Sequence, residues 1–433
     1  MTLRSISLGL AISIVLAIPL SAPLAAEPEE GDASLFPVPD YSGDWIERKR
    51  LLGDPGGYRS SAAEHGVQLE VDFVQTGQGV ADGGVDDEAE YTGSFDYVLK
   101  IDVEKAGGWP GAFVLIRGET LFGDDVNGRS GSLMANNTDA LFPIPGEEKT
   151  TLTDVQLIQF LHPKAGIALG KLNTLDGDLN AFAHGRGTDQ FMNLSFVANP
   201  ATLRTVPYSA LGFALILLPI DNLIVQFSVL DAEGVANKDG FDTVFEDGTV
   251  FALEARLGTH FFDLPGHMLL GATISDRKFS TLDQDPRLVL GGILGLGFEP
   301  KRSDNSWSVY SNFDQYLWKP DTDSDRGVGV FGRLGFADES TSLLAWFVSI
   351  GVSGIGLIPG RDGDHFGIGY SVVGESDKIS SRIDLEDAHI AELYYDIEVT
   401  GWLHVTPDIQ IVDSSFANVD TAVVLGVRSK IEF

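Results

Sequence analysis

From Gly66 to the last residue, the chain alternates. In "GVQLEVDFVQTG", Val67, Leu69, Val71 and Phe73 fall on one side of an extended backbone, and Gln68, Glu70 and Asp72 on the other. Successive strand side chains point to opposite faces, so the pattern is a strand with one apolar and one polar face. In "TVFALEARLGTHFF", Phe251, Leu253, Ala255 and Leu257 oppose Glu254 and Arg256. "WSVYSNFDQYLW" and "IAELYYDIEVTGW" behave alike. The final stretch, "AVVLGVRSKIEF", sets Val423, Leu425, Val427, Ile431 and Phe433 against Val424, Gly426, Arg428, Lys430 and Glu432. Runs of about ten alternating residues are each a weak signal, but a long series of them marks a transmembrane β-barrel. A soluble two-sheet sandwich also alternates, so the connections must decide.

The connections come in two kinds. "HPKAG", "LPIDN", "FDLPG" and "HVTPD" read as short turns, and the others are long and acidic or glycine-rich. Barrels in the outer membrane show this asymmetry. Trp109, Trp307, Trp318, Trp346 and Trp402 lie at or near strand ends, where interfacial aromatic girdles form. The fold class is therefore all-β, an antiparallel transmembrane barrel whose greasy strand faces meet lipid. About seventeen strand-like runs can be counted, and a single-chain bacterial barrel closes on an even number. The turns in 338–375 cannot be placed from the pattern.

Arg4, the apolar run Ile6 to Leu20 and the small residues ending at Ala26 follow the order of a secretory signal peptide. Residues 1–26 are thus expected to be removed and the protein exported through the periplasm. Residues 27–65 read as a polar leader with two short helices, one in "WIERKRLL" and one from Asp54-Pro55 through Ala62, closed by Gly66. The barrel is expected over 66–433.

Composition narrows the function. Net charge is −34, so nucleic acid is excluded as a partner. The acids cluster between apolar runs and read as solvated loops. There is no cysteine, and a closed sheet would supply the stability that disulfides otherwise give an exported chain. The eight histidines are scattered, with neither a GxSxG nor an HExxH motif. His260 and His267 flank a proline turn and form no metal set. No cofactor, metal or catalytic site is expected. A barrel hydrolase, a general or ion-preferring porin and a secreted sandwich remain the alternatives.

Three stretches resemble the carbohydrate-selective porins of the OprB family. In "GDPGGYRSSAAEHGV", Gly53, Asp54, Gly56, Gly57, Arg59 and Gly66 match the family's start, with Pro55 in place of its tryptophan. "GIALGKLNTLDGDLNAFAHGRGTDQFMNLSF" is similar to its fifth strand and long constricting loop, through Gly170, Lys171, Phe182, Phe191 and Asn193. "AELYYDIEVTGWLHVTPDIQIV" and the final strand carry Glu392, Tyr394, Trp402, Pro407, Asp408, Gln410, Gly426, Arg428 and Phe433. "GLIPGRDGDHFGIGY" adds Gly356, Arg361, Asp364 and Gly367. The resemblance implies sixteen strands, passive diffusion of mono- or oligosaccharides and other small neutral solutes, and a barrel that works as a monomer, a trimer being the alternative. Outer-membrane lipid is the other partner. The terminal phenylalanine resembles the assembly signal of outer-membrane proteins.

About thirty-five residues separate the fifth and sixth strand runs, far beyond a hairpin loop. The segment carries Phe182, Phe191, Met192, Leu194 and Phe196, too much apolar surface for a solvated loop. It is expected to fold inward from Lys171 to Arg204 and set the narrowest point. Arg186, Asp189, Gln190, Asn193 and Arg204 would then face the passage, with Arg117, Glu119 and Lys171 on the opposite wall and Asn173 at the loop's start. A lumen of mixed charge predicts only a modest cation preference.

Overall fold

The computed structural model describes residues 34–144, 149–285, 287–288, 300–321, 324–379 and 385–433. The signal peptide expected over 1–26 lies outside the described residues. The strands are β1 (Val67–Asp82), β2 (Ala89–Asp102), β3 (Ala112–Gly123), β4 (Thr150–His162), β5 (Ala165–Asn173), β6 (Ser209–Ile220), β7 (Leu223–Asp231), β8 (Thr249–Phe261) and β9 (Leu264–Ser275). A small pair, β10 (Phe279–Ser280) and β11 (Arg302–Ser303), follows. Then come β12 (Ser306–Trp318), β13 (Gly327–Ala337), β14 (Leu344–Ile355), β15 (His365–Glu375), β16 (Ala388–Thr400), β17 (Leu403–Asp413) and β18 (Ala422–Glu432). All but β10 and β11 form one closed antiparallel barrel of sixteen strands. It closes where β1 pairs with β18, from Asp72 opposite Glu432 to Val80 opposite Val424. Closure leaves no strand edge unpaired, which a chain in hydrocarbon requires.

The alternation read from the sequence is the inside–outside partition. Leu69, Leu253, Ile350, Ile368, Leu393, Leu425 and Val427 are exposed on the outer face. Arg117, Arg333, Arg428, Glu392 and Gln410, of the opposite parity, are buried inside. A lumen wall can hold such charges because it offers partners and water, whereas lipid offers neither.

The connections separate the two ends. Turns 163–164, 221–222, 262–263 and 401–402 have two residues each. Phe262 and Asp263 both adopt φ of 60°, the left-handed geometry of a tight hairpin turn. Connections 124–149, 174–208, 232–248 and 276–305 all lie at the other end. By the barrel rule, the short-turn end, which also holds Phe433, faces the periplasm. The expected turn at "HVTPD" is absent. Pro407 lies inside β17 opposite Val427 of β18, and the ladder to β16 skips it, between Tyr394–Asp408 and Ile397–Val405. The missing N–H thus costs no ladder bond on that side. In 338–375, β14 and β15 are joined by 356–364.

The leader differs in part from its expectation. "WIERKRLL" forms turns, not a helix. The second helix is present as α1 (Tyr58–Glu64), after a 3-10 turn at Pro55–Gly57. Asp54 accepts from the backbone N–H of Arg59 at 2.9 Å, and Gly56 and Gly57 supply φ of 69° and 74°. Arg59 lies over the Tyr41 ring and donates to the backbone oxygen of Phe433 at 3.0 Å. The amide of Phe433 donates to Val71 at 2.9 Å. The motif therefore fastens leader, first strand and chain end together. Nearby, Trp45 packs edge-on against Trp402 with ring centroids 4.9 Å apart.

Candidate functional site

The β5–β6 connection, 174–208, enters the lumen and crosses it. Its first tie is electrostatic. Arg186 donates to Glu119 of β3 at 2.6 Å, to Asp176 at 2.8 Å and to the Tyr208 hydroxyl at 2.5 Å. Arg117 reaches Asp176 at 3.1 Å and Asp96 of β2 at 3.5 Å. Tyr208 donates to both oxygens of Glu119. Burial alone would raise the Asp176 carboxyl, but Arg186 and Arg117 outweigh it and hold the group well below the usual range. Burial pushes the Tyr208 hydroxyl far up, so it stays a neutral donor. Pairing of this quality is what a buried charge needs to persist.

The second tie is packing. Phe182, Phe191 and Phe196 are buried against β12–β16. Their seats are glycines: a β-carbon on Gly329 would stand 2.2 Å from Phe182, one on Gly367 2.7 Å from Phe191, and one on Gly369 2.6 Å from Phe196. Phe191 also meets Phe331 and Tyr394 edge-on at 5.3 and 4.8 Å. Polar bonds pin the backbone between these rings. Arg428 of β18 donates to the carbonyls of Gly187 and Gln190. Glu392 of β16 accepts from the amides of Met192 and Asn193. Arg333 of β13 pairs with Asp178 at 2.8 Å.

A second connection also turns inward, which sequence reasoning missed. Thr138 of 124–149 bonds the carbonyl of Met192 through both N–H and hydroxyl, Asn136 donates to Gln410 at 3.0 Å, and Leu194 donates to Ala135. Its apolar stretch Leu133, Met134, Ala135, Ala140, Leu141 and Phe142 is the signal that could have revealed it.

Of the sequence-derived candidates, Arg117, Glu119, Asn173 and Arg186 come together. Arg117 and Glu119, however, grip the loop itself and do not face it across a gap. Asp189 pairs with Lys430 of β18 and keeps 44% of its side chain exposed. Gln190 folds back onto its own loop, through His184 and Ala181. Three candidates stand elsewhere than expected. Asn193 is fully buried, caps α2 (Leu194–Val197) and bonds Gln410. Arg204 donates to Thr341 in an outer connection and lies over the Phe279 ring. Lys171 shares the parity of exposed Ile167 and Leu169, and its ammonium bonds the carbonyls of Ala236 and Lys238 in the 232–248 connection. Asp72, Asp96, Asp176 and Tyr208 were not singled out, because their partners lie far off in sequence.

The loop thus runs from β3 to β12–β18 and divides the interior. On the β1, β2 and β18 side, Asp72 and Asp96 keep 25% and 19% of their side chains open, beside Asp189, Lys430 and Glu432. On the other side, the loop leaves a gap against β7, β8, β9 and β12.

A closed sixteen-strand barrel whose lumen is narrowed by an inward loop has the architecture of a diffusion channel. Residues 86–433 match the carbohydrate-selective porins, and the chain belongs to the OprB family. It is similar to Porin B of Pseudomonas aeruginosa, with 25% identity over 426 residues, 89% of this chain and 91% of that protein. The high-pH structure of Pseudomonas putida OprB has a TM-score of 0.77 at 20% identity, covering 90% of this chain and 100% of that one. The low-pH structure of that protein gives 0.56 at 18% identity, covering 90% and 99%. At such identity the two structures establish likeness of fold.

Proposed function

We propose that this outer-membrane sugar porin is exported through the periplasm and lets mono- and oligosaccharides pass through a lane between the inward loop and the walls of β1, β2 and β18. One observation carries the reading. The loop is tied at both sides of the lumen, and Asp72, Asp96 and Asp189 beside it keep part of their side chains open, with the buried Lys430 ammonium between Asp72 and Asp189. A passage suits neutral polyols when it replaces some of their water without holding them. Carboxylate acceptors on Asp72, Asp96 and Asp189, beside the Lys430 ammonium, do this for hydroxyls. The barrel works as a monomer embedded in outer-membrane lipid.

Liposome swelling with glucose, maltose and charged solutes of matched size tests it. Faster swelling with neutral sugars than with anions of that size supports the reading. No swelling above that of empty liposomes contradicts it. The excess of acids in the lane supports a second reading, a channel that prefers cations. Reversal potentials in a salt gradient separate the two.

A further inference from the structure

The gap on the far side of the loop is a chamber of about 240 Å³. That is more than ten times what one ordered water needs, roughly 10–15 Å³. Its walls come from Asn173, Thr174 and Tyr208 on the loop side, and from Gln226, Glu254 and Tyr310 on the barrel side. Three features mark it as a place where a solute could dwell.

The first is a flat aromatic face. Phe142 and Tyr208, which both line the chamber, stack with ring centroids 4.3 Å apart and planes 6° apart. The second is that its two carboxylates are already engaged, Asp178 with Arg333 at 2.8 Å. Gln226, Ser228, Thr273 and Asn199 are neutral, and Glu254 already accepts from the Tyr310 hydroxyl at 2.6 Å. The third is unmet bonding capacity. The Gln226 Oε1 is buried and has no hydrogen-bond partner among the described residues, while its amide nitrogen donates to Ser228 at 2.9 Å. Buried polar groups left without partners are costly, and such groups lining a cavity are met by water or by a ligand.

We infer that this chamber is a binding subsite for a single sugar ring, apart from the charged lane. The inference rests on the porin reading above and names where a solute dwells. An apolar ring face would lie on the Phe142–Tyr208 stack, and hydroxyls would meet Gln226, Glu254, Asn173 at the end of β5 and Thr174 of the loop. A pocket mostly apolar, with a few placed polar groups, fixes orientation and selects among small solutes. A site built to bond hydroxyls discriminates against an analogue that lacks them, because its own groups are then left unpaired.

The test uses the full mature protein folded in detergent micelles, with glucose binding read by isothermal titration calorimetry and cyclohexanol as the hydroxyl-poor probe. Wild type, Gln226→Leu and Ser228→Ala are compared, each shown to be folded by heat modifiability. The inference predicts saturable binding of glucose and none of cyclohexanol. Gln226→Leu should weaken apparent glucose affinity by roughly 3- to 10-fold, the effect of one lost hydrogen bond. Ser228→Ala, which frees the Gln226 amide but keeps its oxygen, should weaken it less. Wild-type glucose affinity in Gln226→Leu, or equally tight binding of cyclohexanol, overturns the inference. Should Gln226→Leu not fold, Ser228→Ala and the cyclohexanol comparison still decide. If wild-type liposomes admit glucose yet Gln226→Leu binds like wild type, the chamber alone is refuted. If they admit no sugar, the porin reading falls and takes the chamber with it.

Discussion

The two walls that hold the inward loop are built from opposite materials. On β13 and β15 the wall is glycine, and the loop fills it with Phe182, Phe191 and Phe196. On β2 and β3 the wall is Asp96, Arg117 and Glu119, and the loop answers with Asp176 and Arg186. The first wall resists displacement through shape and buried area, whatever the salt. The second sets the field beside the lane, and its outermost charges are open to screening. One side therefore determines whether the loop stays, and the other what the lane prefers.

The largest effect is expected from the packed side. Phe191→Ala removes a fully buried ring, a change that costs about 3–5 kcal/mol. The barrel ladders do not depend on it, so the protein should still assemble while single-channel conductance rises. Gly369→Val, whose β-carbon would meet Phe196, should act the same way. If both variants keep wild-type conductance in a folded barrel, the packed side does not seat the loop.

Arg186→Met probes the charged side. Breaking a buried pair from one partner costs about 3–5 kcal/mol, but the aromatic seats remain. Conductance should change less than in Phe191→Ala. The freed Glu119 and Asp176 should raise cation over anion permeability, read as a shift in reversal potential. An unchanged reversal potential would mean that these carboxylates do not reach the lane's field.

A smaller effect comes from salt. Screening length falls from about 10 Å at 0.1 M to about 3 Å at 1 M. A modest cation preference at 0.1 M should fade at 1 M, since Asp72 and Asp189 are partly open. A strong preference that survives 1 M salt would place unscreened acids at the narrowest point.

The smallest concerns Asp139 of the second inward connection, which accepts from Ser94 at 2.8 Å. Burial raises its carboxyl to about 7. In the unfolded chain it ionises near its ordinary value of about 4. Between those values the folded protein keeps a proton that the unfolded one loses, so the docking of this connection weakens as pH rises from 4 toward 7. Charge then appears on the folded protein as pH passes 7. Cation preference should increase slightly from pH 6 to 8 in wild type and increase less in Asp139→Asn.

The barrel was readable in the sequence because lipid acts on every strand alike. A single solvent on one face imposes period two, and "AVVLGVRSKIEF" shows it as plainly as Leu425 and Val427 do on the outer surface. The loop's inward course was readable from its length and its phenylalanines. Its seats were not, because Gly329, Gly367 and Gly369 give no sign of what occupies the missing side-chain space. Lys171 misled because a strand end has both faces covered, so burial of the outer face by 232–248 looks in sequence like a lumen position. Pro407 misled because a proline followed by aspartate reads as a turn, while β17 has a place where the ladder can spare an N–H. The Arg186–Glu119 contact joins residues 67 positions apart, which no local pattern encodes.

The central claim is that 174–208 sets the narrowest point. The direct measurement is single-channel conductance, with liposome swelling by glucose and maltose, in a heat-modifiable variant whose residues 178–192 are replaced by a short Gly-Ser bridge. The account predicts higher conductance and weaker discrimination between the two sugars. Wild-type conductance and wild-type discrimination in a folded barrel would contradict it.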